Sequence, residues 1–255
     1  MRRERAARDV SESFLLREAG ENLAERLGAV KRNFCKALDL GSRVGSFVFL
    51  APHAGEWLRT NLWSGDHSAS VIADEEALPF AAQTFNLVVS VFGLHAVNDL
   101  PGALVQIRRL LTPDGLFLAA LFGGATLGEL RRAFAGAELE MTGGASPRIA
   151  PFSEVRDMGA LLQRAGFAMP VADLERVSVR YGSFATLAGD LRVIGETNAL
   201  AQRRRAPLRR DVLSAALDHY AAHDADADGR LGATFDILYL TGWAQQQGVM
   251  RLEGL

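Results

Sequence analysis

The sequence predicts an α/β protein: a doubly wound parallel sheet with extra helices between its last two strands. Three observations carry this. Continuous apolar runs of strand length, FNLVVSV and LFLAALF, suit a parallel sheet covered on both faces. Segments with apolar residues at helical spacing separate them. Strand and helix then alternate as far as residue 124, the pattern of successive βαβ units.

Each element has its own warrant. Phe14, Leu15, Leu23, Leu27 and Val30 recur at helical spacing and predict an amphipathic helix over 11–30, ahead of the first strand, KALDL at 36–40. A glycine turn follows, and 45–58 begins as a helix that Pro52 and Gly55 make irregular. SASVIAD (68–74) and FNLVVSVFGL (85–94) read as the second and third strands. NDLPGALVQIRRLL (98–111) is a helix capped by Asn98 or Asp99 with a proline in its first turn. TPDG turns the chain into the strand LFLAALFGG (116–124). Beyond it come a helix at 126–141, the loop TGGASPRIAPF (142–152), a helix at 153–167, an alternating strand at 174–181, two helices near 184–200 and 208–223, and a last strand at 233–243.

Composition narrows the classes. The 255 residues are 49% hydrophobic, enough to bury one large core with its insertions. A formal net charge of -2 supplies no field that gathers nucleic acid. The single cysteine, Cys35, leaves no internal disulfide and no cysteine-based zinc site. No apolar run reaches the roughly 18 residues of a membrane helix. The arginine-rich start lacks the apolar centre of a secretory signal and carries Glu4 and Asp9, so a cytoplasmic location is expected.

In open parallel sheets ligands bind beyond the carboxyl ends of the strands, where strand order reverses. The first strand's end, Asp39 to Gly45, is that point here. Three further strand ends gather beside it: ADEEALPF, FGLHAVNDLP and LFGGAT. A lone glycine turn is most often structural. Four strand ends bearing acids, histidine, asparagine and glycines in order are hard to explain as packing. His95 follows a strand apolar enough to be buried, and reads equally as a satisfied core histidine or a general base.

This ordered set resembles the type 11 branch of the class I S-adenosylmethionine-dependent methyltransferases, which implies a Rossmann-like doubly wound sheet, mostly parallel with an antiparallel last strand, and helical lid insertions. The first motif, similar to D-x-G-x-G-x-G, stands as Asp39, Gly41, Arg43 and Gly45; the segment resembling GDAEALPF holds Asp74 and Glu75. The blocks VIADEEALPF, LHAVNDLPGALVQIRRLLTPDGLF, LFGGATLGELR, GGASPRIAPF and TFDILYLTGW further resemble the subfamily of complex I assembly factors, over roughly residues 10–244. The resemblance implies one domain, with a helical cap at 1–36, a cofactor core at 37–124, substrate-side insertions at 125–235 and the last strand at 236–244. It implies S-adenosylmethionine as cofactor, held by Asp39, Gly41, Arg43, Gly45, Asp66, Asp74 and Glu75, with Asp74 accepting from the adenine amino group. His95 is then the candidate catalytic residue, and Asn98 and Arg148 lie on the substrate or lid side. The implied partner is a protein substrate, an arginine of a complex I subunit, modified by hydroxylation or methylation. Two other readings stand beside it: a small-molecule or acyl-carrier O-methyltransferase, and a non-catalytic assembly module with a vestigial pocket.

Two departures bear on the cofactor. Arg43 replaces the middle glycine, and is read as facing solvent or pairing with the cofactor's carboxylate rather than blocking the loop. No acid visibly ends the second strand to hold ribose; Asp66, in LWSGD, is the better candidate. Nor is a 2-His-1-carboxylate metal set legible. DADADGRLGATF imitates a calcium loop but has Phe235 where a glutamate is required, and reads as a polar turn before the last strand. His219 and His223 read as a solvated helix end, and the arginines of QRRRAPLRR as a solvated junction.

Overall fold

The computed structural model describes residues 13–41, 44–62, 70–198, 200, 203–204 and 206–245. In chain order the elements are α1 (Phe14–Ala29), β1 (Phe34–Asp39), α2 (Val44–Leu50), β2 (Ala54–Asn61), β3 (Val71–Ile72), β4 (Phe85–Val91), α3 (Leu100–Leu110) and β5 (Leu111–Phe122). They continue with α4 (Gly128–Thr142), α5 (Val155–Arg164), β6 (Phe167–Tyr181), α6 (Phe184–Val193), α7 (Arg210–Asp224) and β7 (Leu231–Ala244). The chain divides into two compact units. The first holds Phe14–Leu121, Glu154–Asp173 and the chain from Leu238; the second holds Phe122–Ser153 and Leu174–Ile237.

The seven strands follow the order β3-β2-β1-β4-β5-β7-β6, and all of them lie at least in part in the first unit. β1 pairs in parallel with β2 on one side and β4 on the other, and β2–β3 and β4–β5 are parallel too. β7 is antiparallel, as the family resemblance implies. Strand order therefore reverses at β1/β4, the position where such sheets bind ligands. Leu38, Val88, Phe117 and Leu238 from the sheet pack with Leu104 and Ile107 of α3 and with Met158 and Leu162 of α5 in one core. Ala103, Leu104, Ile107 and Leu110 form the buried stripe of α3. Its N-cap is Asp99, whose side chain accepts from the Gly102 amide at 2.9 Å, worth about 1 kcal/mol. On the other side, α1 lies so close to α2 that a Cβ on Gly20 would stand 2.9 Å from the Ser46 carbonyl oxygen.

The structure differs from the sequence expectation in three places. The helix expected over 45–58 stops at Leu50; a 3-10 turn through Pro52 leads into β2. β2 carries Glu56 and Arg59 and is largely half-exposed, so it lacks the apolar run that marks β4. The strand expected over 68–74 shortens to Val71–Ile72, where it pairs with Thr60 and Asn61 at the sheet edge. TPDG is not a turn outside the strand but a bulge within β5. Leu111 pairs with Phe85 and Leu116 with Leu87, so extra residues are accommodated, with Asp114 at φ 57°.

In the second unit α4 and α7 are tied by Arg132 to Asp224 at 2.7 Å and by His219 to Glu140 at 3.1 Å. The aspartate-rich turn before β7 is closed by the protein's own donors. Asp226 accepts from the Asp228 and Arg230 amides at 3.0 and 2.8 Å and pairs with Arg180 at 2.8 Å. Arg209 pairs with Asp211, which uses one arginine of the basic cluster internally.

Candidate functional site

Within the first unit, β1 ends in a carboxylate that the sheet buries: Asp39 is 2% exposed. Parallel register sets Arg59 of β2 directly beside it, with Nε 3.4 Å from Oδ2. The guanidinium also lies 4.0 Å from the centroid of the Phe47 ring. Thr60, fully buried, donates toward the Asp39 carbonyl at 3.4 Å and accepts the Gly41 amide at 3.2 Å. Gly41 takes φ +70°, a conformation a side chain would resist, and this turns the chain sharply off β1. Gly45 lies in the first turn of α2. Asn61, 7% exposed, closes β2 where an acid is expected. Arg43 and Asp66 lie outside the described residues.

The end of β3 is bound to the end of β4. Asp74 is exposed, and its carboxylate accepts the Glu76 amide at 2.9 Å. Glu75 is buried. A Cβ on Gly93 would come within 2.9 Å of Ser90 Oγ, 3.4 Å of the Leu40 carbonyl and 3.8 Å of Glu75 Oε1. That glycine lets the ends of β1, β3 and β4 meet, and Ser90 Oγ donates to Leu40 O at 2.9 Å. Glu76 accepts from the main-chain amides of Asn98 and Asp99; these bonds hold its carboxyl below the usual range. Gln106 of α3 donates to the Glu76 carbonyl at 2.7 Å and accepts from the Leu78 amide at 3.0 Å. His95 sits in a 3-10 turn just beyond β4, its ring edge-on to Phe92 with centroids 6.3 Å apart. Phe92 has φ 49°, an outlier for a bulky residue, fixed by its amide bond to Ala120 O at 2.8 Å. Such strain, roughly 1–3 kcal/mol, concentrates at ligand sites.

Arg148 belongs to the second unit, and its site is built inside that unit. Glu138 of α4 is 1% exposed and receives Arg148 Nε at 2.9 Å together with Nη2. Its other oxygen accepts the Ser146 amide at 2.6 Å. Burial pushes the Glu138 carboxyl up, but the Ser146 amide, the Arg148 guanidinium and the Ser146 hydroxyl outweigh it and hold it below its ordinary value. Among the described site residues, then, Asp39, Gly41, Gly45, Asp74, Glu75, His95 and Asn98 lie in the first unit and Arg148 in the second. Sequence reasoning misses Arg59, Asn61, Glu76, Gln106 and Glu138. A signal existed for the first two: a crossover from KALDL leaves room for a strand before residue 71, and WLRTN is its end.

A doubly wound sheet with glycine, carboxylates and histidine at the reversed strand ends defines a class I methyltransferase-type protein. Residues 38–119 match a methyltransferase domain. YcgJ protein from Bacillus subtilis shares the fold with a TM-score of 0.60 at 14% identity, over 89% of this chain and 98% of that one. Arginine-hydroxylase NDUFAF5, mitochondrial, of Homo sapiens is 42% identical over 250 residues, covering 93% of this chain and 72% of that protein. Malonyl-[acyl-carrier protein] O-methyltransferase of Gallionella capsiferriformans (strain ES-2) is 30% identical over 232 residues, covering 91% and 75%. The chain belongs to the family of the arginine-hydroxylase NDUFAF5 proteins. The cytoplasmic location expected from the sequence is overturned, because relatives at this level of identity are named as mitochondrial. Among the described residues no helix is long and apolar enough to cross a membrane.

Two predictions follow from these ion pairs. Arg59→Met removes the cation beside the buried Asp39 carboxylate and should lower unfolding free energy in urea by about 3 kcal/mol, while adding Asp39→Asn should recover much of the loss. Equal losses that simply add would show that the two side chains do not interact. The second concerns pH. Glu138 binds its proton less readily folded than unfolded, so the stability it contributes is complete above its ordinary value of 4.5 and disappears as pH falls through the lower folded value. Stability measured from pH 6 to about pH 3 should fall less steeply in Glu138→Gln than in the unaltered protein.

Proposed function

We propose that this chain hydroxylates an arginine side chain of a respiratory complex I subunit, from a site that holds S-adenosylmethionine at the ends of β1 to β4. The observation that carries this is the 42% identity, over 93% of the chain, to a protein named as an arginine hydroxylase. The residues present fit the cofactor. Gly41 at φ +70° lets main chain approach a ligand closely. The Asn61 amide both donates and accepts, as ribose hydroxyls require. Asp74 offers an exposed carboxylate to the adenine amino group, and Glu75 beside it in the chain is buried. Asp39, already neutralised by Arg59, shapes the turn. Gly45 continues the loop into α2, and Arg43 and Asp66 remain candidates for the carboxylate and the ribose.

When bound, the cofactor presents a sulfonium, and with it a transferable methyl group. Hydroxylation by dioxygen places one oxygen atom in a C–H bond of the arginine, while a two-electron reductant carries the other to water. The chain's own task is positioning. His95 is the proposed catalytic residue, a proton acceptor where methyl transfer releases a proton, Asn98 borders the substrate beside it, and Arg148 orders the loop of the second unit. A second reading, O-methyl transfer to a carrier-bound acid, draws on the 30% identical malonyl-carrier methyltransferase.

Mass spectrometry of complex I subunits from a strain lacking this chain, and from the same strain complemented, tests the proposal. One arginine should carry an added oxygen only where the chain is present. An arginine oxidised equally in both, or in neither, contradicts hydroxylation; release of S-adenosylhomocysteine from a malonyl-carrier substrate would put the second reading first.

A further inference from the structure

Glu76 joins three segments of the first unit, one through each of its polar groups. Its amide donates to Asp74 Oδ1 at 2.9 Å, and the Asp74 carbonyl accepts the Ala77 amide at 3.0 Å, so a tight turn holds the carboxylate assigned to adenine. Its carbonyl accepts Gln106 Nε2 of α3 at 2.7 Å. Its carboxylate crosses to the chain after β4, where Oε1 accepts the Asn98 and Asp99 amides, the latter at 2.8 Å, and Oε2 lies 3.5 Å from Asn98 Nδ2.

The segment that Glu76 grips carries the substrate side of the proposed site. His95 sits in the 3-10 turn Leu94–Ala96, whose own main-chain bonds are long: the Ala96 amide to Gly93 O at 3.3 Å and the Val97 amide to Leu94 O at 3.4 Å. Such bonds hold a turn weakly, because they exceed the roughly 3.2 Å at which amide hydrogen bonds usually end. The residues that follow are better fixed. Asp99 caps α3 through the Gly102 amide at 2.9 Å, and its carbonyl accepts the Ala103 amide at 3.0 Å. Glu76 completes that anchor from the side of β3. Two amides on one carboxylate oxygen make charge-assisted bonds, about twice as strong as neutral ones. They also hold the Glu76 carboxyl below its ordinary value, so it is ionised at neutral pH.

We propose that Glu76 is a positioning residue that couples the adenine end of the cofactor site to the turn bearing His95 and Asn98, so that filling the site at Asp74 orders the turn that meets the substrate. The proposal rests on the S-adenosylmethionine reading above and adds how the cofactor prepares the substrate side. Asp74 moves with the Glu76 amide, and the Glu76 carboxylate moves with the Asn98 and Asp99 amides. Coupling of this kind is reciprocal: loosening the turn weakens cofactor binding by the same factor.

The test titrates S-adenosylhomocysteine calorimetrically into the full chain and follows hydrogen exchange over residues 93–100 with and without it. In the unaltered chain the ligand should slow exchange over that segment. Glu76→Ala should bind at least about fivefold more weakly, the low end of coupling between sites, and should lose the ligand-induced slowing. Two conservative variants separate hydrogen bonding from charge, and they decide the matter if Glu76→Ala does not fold. Glu76→Gln keeps an acceptor at Oε1 and should stay nearer the unaltered affinity and slowing. Glu76→Asp keeps the charge but is one methylene too short to reach both amides, and should lose both. A merely structural role would speed exchange equally with and without ligand and leave the affinity of a folded variant unchanged. That result, or Glu76→Asp binding more tightly than Glu76→Gln, overturns the coupling while the cofactor reading stands. Binding to the unaltered chain with no slowing over 93–100 overturns it too. An unaltered chain that does not bind the ligand removes the cofactor reading and the coupling together.

Discussion

The buried carboxylate of Asp39 is the constraint on which the first unit's ligand end depends. An isolated charge at 2% exposure is untenable, and the cost of removing it from water is met only by a partner in good geometry. Arg59 supplies a neutralising charge, its Nε 3.4 Å from Oδ2, and it can reach Asp39 because β1 and β2 are in parallel register with these two residues opposite one another. The pair thus fixes more than a charge. It sets where β2 ends, so that Thr60 closes the last polar groups of β1 and Asn61 stands at the mouth. Gly41 then leaves the strand in a left-handed turn whose amide is already satisfied.

The neighbouring strand ends are held by the same economy of polar groups. Glu76 reaches the amides that open α3, while Gln106 on α3 reaches back to the main chain around Glu76. The loop after β3 and the loop after β4 are therefore joined reciprocally. Within this frame the strained Phe92 persists, since its amide is bonded to β5 and its ring is buried. Strain retained at a strand end, just ahead of Gly93 and His95, is of the kind that clusters at functional sites. In the second unit the Glu138–Arg148–Ser146 cluster does comparable work, ordering the glycine- and proline-rich loop beside an aromatic cavity.

Much of this was legible in the sequence. β1, β4 and β5 are apolar because both faces of a central parallel strand are covered, and the α3 cap and stripe follow from Asp99 and the spacing of Ala103, Leu104, Ile107 and Leu110. β2 was hidden for the opposite reason: it lies toward the sheet edge, so it bears Glu56, Trp57 and Arg59 instead of an apolar run, and the strand after it shrinks to two residues. With β2 unseen, Arg59 and Asn61 had no address. Glu138 was invisible for another cause. A glutamate on a helix is ordinarily solvated, and only the fold of the loop through Ser146 and Arg148 buries it. His95, Asp74 and Asn98 stand at strand ends as their spacing suggested, because that placement depends on topology alone.

These strand ends are proposed as an S-adenosylmethionine site despite the arginine in the glycine loop and the asparagine at the end of β2. Isothermal titration of the folded chain with S-adenosylmethionine and S-adenosylhomocysteine tests it most directly. The account predicts saturable binding tighter than about 100 μM, roughly 5.5 kcal/mol. A folded protein that binds neither compound would contradict it.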